Sequence, residues 1–411
     1  LAVLLSIGVV CGLTIVAIAK RIVTWGAATS TLVTSTAAPA DSTTPPLKGV
    51  QVLDVTPGGP ASRAGLKSGD VITAYGEAAV EDELQYLKAA LDPDRPASGP
   101  PSVNLSVWRA GRNLVVEVPT GRIKFQSKDW NKAKYAIYSA LTFYKSDEAQ
   151  SLFDRAKREG QLTDFQILMI QTMLIPEKAS AAQDKIRQED VAHLVALYPE
   201  DYLEDLARDF KDVNCFSASA IIYDQILASH PDDVSYLLNA GQVYARVDRN
   251  SDARRNVAKA MNLGISDYGY LVAWGVLGRA SLGDLDFAAA RDSFKKCFEY
   301  SPDELNMMMY LYSSAKTEDI DLFDQARAEC REKSESDYYT LWDYEIDALS
   351  AYVLVRNGHR SEAISLAAKW KDNKEAAVNI PRYWRDVPGS PDVLENWQSL
   401  TAEAKSAANR Q

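Results

Sequence analysis

The pattern of apolar and polar positions divides the chain into four stretches. Residues 1–19, LAVLLSIGVVCGLTIVAIA, are apolar throughout and carry no charge. As a helix rising ~1.5 Å per residue they would cover roughly 28 Å, about one hydrocarbon core. Lys20 and Arg21 follow at once, and Trp25 stands where an interfacial aromatic would. The pattern predicts a transmembrane anchor over residues 1–22. The alternative is a cleaved signal peptide, whose apolar region is usually shorter, about 7–15 residues, and ends at small residues. Ala27-Ala28 and Ala37-Ala38-Pro39-Ala40 are of that kind. Residues 23–46 are rich in Ser, Thr, Ala and Pro and predict a linker too poor in large apolar groups to fold alone.

From Leu47 to Phe125 the period becomes that of strands. GVQVLDV (49–55) alternates and is rich in β-branched residues. Pro57-Gly58-Gly59-Pro60 makes a turn, Ala61 to Leu66 a short helix closing on Gly65, and Ser68-Gly69-Asp70 a turn into VITAY. Glu81 to Leu91 is amphipathic, with Leu84, Leu87 and Leu91 at helical spacing. VNLSVWR (103–109) and LVVEVP (114–119) flank Ala110-Gly111-Arg112-Asn113 and predict a hairpin. A proline-rich spacer, residues 93–101, interrupts the unit.

These residues resemble a PDZ domain. Gly49-Val50-Gln51-Val52, Gly59-Pro60-Ala61, Ala64-Gly65-Leu66 and Gly69-Asp70-Val71-Ile72 are similar to the permuted PDZ modules of bacterial trypsin-like periplasmic proteases. The resemblance implies a small α+β unit, a partly open β-barrel over residues 47–125. It also implies that a peptide adds as a strand along a sheet edge beside a helix. By that resemblance Leu47, Lys48, Gly49 and Val50 form the loop that meets the peptide carboxylate. Gln51 to Val55, with Val52 on it, is the receiving strand. Leu84, Leu87, Lys88 and Leu91 form the opposing helix wall. Lys48 would add a charge-assisted contact. The plain alternative is that Val50, Val52, Leu84, Leu87 and Leu91 fill the core, and that Gly49 marks a tight bend.

Beyond Phe125 glycine and proline thin out, and helical segments follow one another: 132–144, 147–158, 164–174 and 179–197. A period then emerges. Ala207, Gly241 and Gly275 are spaced by 34 residues, as are Phe210 and Tyr244, Ser219 and Ala253, Tyr223 and Val257, and Ile226 and Ala260. An offset of 37 then brings Ala290, Phe294 and Cys297 after Ala253, Val257 and Ala260, and Pro231 and Pro302 close two copies. Small residues let paired helices approach, aromatics fill the gap to the next pair, and proline stops the second helix. The pattern resembles the tetratricopeptide repeat (TPR), which implies an all-α superhelical solenoid over residues 126–400. Further copies are expected around 315–332 and 352–370, and five to seven hairpins in all. Residues 378–400, with Tyr383, Trp384 and Trp397 among prolines, either cap the last hairpin or dock another protein. Residues 401–411 read as a frayed tail.

Composition narrows the function. Lys plus Arg is 45 against 56 Asp plus Glu, a net charge of −11. The stretches 1–46, 47–125 and 126–411 carry +1, 0 and −12, so the acidity belongs to the helical part. Duplex DNA needs a basic footprint, and none is present. Asp201, Glu204, Asp205, Asp209 and Asp212 form an acidic cluster, which as a binding surface would favour basic segments. Four cysteines exclude a disulfide scaffold, and Cys215, Cys297 and Cys330 lack metal spacing. His193, His230 and His359 are scattered, and no phosphate loop, zinc helix or nucleophile elbow occurs.

The whole reads as a multidomain chain: single transmembrane helix, PDZ-like unit, TPR-like solenoid. No enzyme activity, cofactor, metal, nucleic acid or small-molecule substrate is expected. The expected partners are C-terminal or extended peptides and the helices of a membrane complex, which the protein would assemble or stabilise. The order of the two modules is also similar to that of thylakoid proteins that help assemble photosystem II. The alternative is a substrate-recognition or regulatory subunit of a membrane protease. The linker and the periplasmic resemblance place the soluble parts outside the cytoplasm, while Lys20-Arg21 alone argues for the cytoplasmic side.

Overall fold

The computed structural model describes residues 46–91, 101–121, 126–129, 131–337, 343–373 and 387–408. The expected anchor, nearly all of the linker and most of the proline-rich spacer lie outside the described residues. Among the described residues no helix is long and apolar enough to cross a membrane. The chain divides into two compact units, Leu1–Trp130 and Asn131–Gln411.

In the first unit the strands are β1 (Val50–Asp54), β2 (Val71–Tyr75), β3 (Ala78–Ala79), β4 (Ser102–Arg109), β5 (Arg112–Pro119) and β6 (Gln126–Asp129). Two helices, α1 (Pro60–Arg63) and α2 (Glu83–Leu91), connect them. The sheet is antiparallel in the order β5-β4-β2-β1-β6, with β3 beside β2. The hairpin turn is shorter than expected. Arg109 pairs directly with Arg112, and only Ala110 (φ 46°) and Gly111 (φ 90°) make the bend. Two successive positive φ values match the right-handed twist of the flanking strands. No pairing joins β5 to β6 among the described residues, and the unit is a small antiparallel sheet. Val50, Val52, Val71, Ile72, Leu105 and Leu87 are all 1% exposed or less and form its core.

The first unit also runs past the expected boundary at Phe125. Residues 126–129 read as the start of the helical part, yet they pair with β1 and belong to the sheet. Four residues are too few to show a period against a helical stretch that follows at once.

The second unit is helical. Its helices are α3 (Lys132–Thr142), α4 (Ser146–Arg158), α5 (Asp164–Met173), α6 (Ala181–Leu197), α7 (Leu203–Asp212), α8 (Phe216–Ser229), α9 (Val234–Tyr244) and α10 (Asn250–Leu263). They continue with α11 (Asp267–Gly283), α12 (Phe287–Tyr300), α13 (Glu304–Lys316), α14 (Ile320–Asp337), α15 (Asp343–Arg356), α16 (Arg360–Trp370) and α17 (Pro391–Ala408). Sequential helices from α7 onward pack on each other, and α9 on α11, α13 on α15 and α15 on α17 pack across one helix. That contact pattern is a stack of helical hairpins, each burying a face on its neighbours. Helix α17 closes the stack on α15 and α16 and runs to Ala408, past the expected end at residue 400.

A common turn shapes the hairpins. Tyr144, Asn214, Asp248, Leu285, Glu318 and Gly358 lie between the helices of six pairs, all at φ between 57° and 84°. In five turns the next residue's N–H donates to the carbonyl five residues back: Lys145 to Ala140, Cys215 to Phe210, Arg249 to Tyr244, Asp286 to Ser281 and His359 to Leu354. This bond closes the first helix by satisfying one of its orphan carbonyls.

Candidate functional site

The expected peptide site meets a structural obstacle at its centre. β1 pairs with β2 on one side and with β6 on the other. The strand expected to receive a peptide therefore has no open edge. Among the described residues no strand pairs with the outer side of β6, and α2 packs against β2 and β6.

The predicted loop is likewise engaged within its own unit. The Gly49 N–H donates to the Glu81 carbonyl at 3.1 Å. A Cβ on Gly49 would lie 2.8 Å from the Ile72 carbonyl oxygen and from Val71 Cγ1, at a φ of +150°. The glycine is therefore required by close approach to β2, which is the tight-bend reading. Lys48 Nζ pairs with Glu81 at 3.2 Å, so its charge is already matched. Val50 and Val52 are fully buried, Gln51 is half-buried, and Leu47 is exposed.

On α2, Leu84 and Leu87 are core residues, whereas Lys88 and Leu91 face solvent. Two reciprocal bonds start the helix: the Gln85 N–H donates to Asp82 and the Glu81 N–H to the Gln85 side chain. Tyr75 of β2 packs edge-on against Tyr86 of α2, ring centres 5.9 Å apart. The Tyr75 hydroxyl also donates to the Gly121 carbonyl and accepts from the Gly121 N–H, at 3.1 and 2.9 Å. One side chain thus fixes both the helix and the point where the chain leaves toward β6.

A second anchor was not evident in the sequence. Arg109, at the end of β4, donates to both Asp70 oxygens at 2.6 and 2.7 Å and to the Gly65 carbonyl at 2.7 Å. Asp70 is fully buried and also accepts from the Lys67 N–H. The Gly-Asp pair of the motif therefore ties the α1–β2 turn to β4.

In the helical unit the repeat positions lie in the interior. Ala207, Phe210, Tyr223, Tyr244, Ala253, Ala260, Ala290 and Phe294 are between 0 and 5% exposed, and Gly241 is buried. The register of the third copy differs from the sequence expectation. A Cβ on Gly275 would meet nothing within 4 Å, whereas one on Gly278 would lie 2.8 Å from the Phe294 ring. Gly278, 37 residues after Gly241, is the close-packing position, and Leu285 follows Asp248 by the same interval. The offset of 37 seen at Ala290 thus already applies within α11.

Of the acidic cluster, Asp205 pairs with Arg208 and Asp209 with Lys134 at 3.7 Å. Glu200, Asp201 and Glu204 line a small depression with Leu203, Ile226 and Tyr236. Burial raises the Glu204 carboxyl above its usual range, although Asn239 donates to it at 2.9 Å. The cysteines are interior. Burial pushes the Cys215, Cys297 and Cys330 thiols up to about 12, so they are protonated packing groups rather than nucleophiles.

Residues 30–120 match the family model described as PDZ domain. The match falls within the first unit. Among solved structures the chain is similar to the crystal structure of the P58(IPK) TPR domain, at 11% identity and a TM-score of 0.19. That likeness covers 68% of this chain and 80% of the other. At that score it adds nothing to the hairpin geometry. No curated protein matches the chain.

Proposed function

We propose that the protein is a non-catalytic interaction scaffold, held at a membrane by residues 1–22. It captures an extended or C-terminal peptide on its PDZ-type unit and a second partner on its helical repeats. The observation that carries the reading is the outer edge of β6, beside α2, with which no strand among the described residues pairs. An unpaired strand edge beside a helix is the arrangement in which a peptide adds by main-chain hydrogen bonds. The opposite edge, β5, exposes Arg112 and Glu117 and ends at Pro119, features that discourage strand addition.

The membrane placement rests on the unbroken apolar stretch 1–19 followed by Lys20-Arg21. The extracytoplasmic side is favoured by the uncharged character of most of the linker. The acidity of residues 126–411, with Glu200, Asp201 and Glu204 around one depression, favours a basic partner for the repeats.

The alternative is a regulatory subunit that delivers peptides to a membrane protease. Affinity capture of the full chain from detergent-solubilised membranes separates the two. A stoichiometric complex that is stable without peptide turnover supports the scaffold. A co-captured protease that degrades the bound peptides supports the alternative.

A further inference from the structure

Glu345 stands apart among the acidic groups of the helical unit. It is 1% exposed, and among the described residues its Oε1 has no hydrogen-bond partner. A buried carboxylate without donors is costly, because the anion loses its water and gains nothing in return. Glu345 lies in the first turn of α15, where the helix dipole favours an anion. Two effects oppose that. Burial is the larger, and Glu304, in the first turn of the adjoining α13, adds like charge. Together they push the Glu345 carboxyl up to about 8.

Several cations of the helices packed on α15 pair with other carboxylates. Lys369 of α16 pairs with Asp347, and Lys316 of α13 pairs with Asp392 of α17. On α14, Glu329 pairs with Lys295 of α12, and Arg327 with Asp324. Among the described residues, Glu304 is the charge that acts on Glu345.

We propose that Glu345 is a proton-controlled latch: the last hairpin, α15 and α16 with its closing helix α17, seats tightly on α13 while this carboxyl is protonated and loosens when it ionises. Ionisation demands a donor or water at Oε1, and among the described residues no donor reaches it, so the first turn of α15 opens to hydrate the anion. The direction in pH follows. A folded-state value raised above the ordinary 4.5 gives stability that is fully present below 4.5 and is lost as pH rises toward about 8. Across that window one proton changes the opening equilibrium by up to about tenfold per pH unit. Acidification therefore tightens the end of the stack.

The test is hydrogen exchange read by mass spectrometry on the full chain from pH 5 to 9, corrected for intrinsic exchange. Protection of Asp343–Arg356 should fall as pH rises in the native protein. In Glu345→Gln it should stay high and lose that dependence. Glu304→Gln, which removes the facing charge, should keep the fall but move its midpoint to lower pH. Parallel pH profiles in the native protein and Glu345→Gln would overturn the latch. A pH-independent native profile would do the same without any variant, and an unmoved midpoint in Glu304→Gln would remove α13 from it.

Discussion

Single residues decide the register of the repeats, and glycine shows this best. An alanine at 278 would press its Cβ into the Phe294 ring at 2.8 Å, and both sit in the packed interior. We expect Gly278→Ala to cost about 1–3 kcal/mol, the usual range for overpacking. Gly241 contrasts with it. A Cβ there would meet Val276 Cγ1 at 3.4 Å and Val257 Cγ2 at 3.5 Å, ordinary contacts. Gly241→Ala should therefore leave stability unchanged or raise it by up to ~1 kcal/mol through helix propensity. Chemical denaturation of both variants checks the pair, and the reverse order would contradict the register. The sequence showed a 34-residue period and then a 37-residue one, but not where the change occurs. Gly275 satisfied the first period by coincidence, and only packing separates it from Gly278. The hairpin turns were hidden for a related reason. Tyr144, Leu285 and Glu318 hold left-handed positions that glycine usually marks, so no local signal pointed to them.

At the level of elements, the first unit depends on the clamp between Asp70 and Arg109. Removing the carboxylate strands a guanidinium that is only 28% exposed beside the Gly65 carbonyl. Breaking a buried pair costs about 3–5 kcal/mol, and partial exposure of Arg109 places Asp70→Ala near the lower figure. Thermal unfolding of the first unit's transition, followed in the full chain, measures the loss, and an unchanged midpoint would contradict the clamp. Strands β1, β2, β4 and β5 and helix α2 were legible from alternation, glycine turns and leucine spacing. β6 was not, and the sequence reading therefore left β1 with an edge that β6 covers. With β6 in place, β1 becomes interior, and Leu47, Lys48, Gly49 and Val50 become part of the unit's own packing. The family resemblance, which the PDZ family-model match over residues 30–120 supports, did not say which strand lies beside β1.

At the scale of the whole molecule, two units with different surfaces fit a protein that holds two kinds of partner. Residues 47–125 are neutral, while residues 126–411 carry the −12. Among the described residues, α3 to α16 form seven helical pairs, within the five to seven expected, because 3.6-residue periodicity survives even where the repeat motif degenerates. The central claim is that a peptide adds as a strand to β6. The most direct measurement is residue-resolved amide hydrogen exchange of the full chain with and without a C-terminal peptide it binds. New protection should appear at Gln126–Asp129 and leave the already paired amides of β1 unchanged. Protection confined to another surface, with β6 unaltered at saturating peptide, would contradict the assignment.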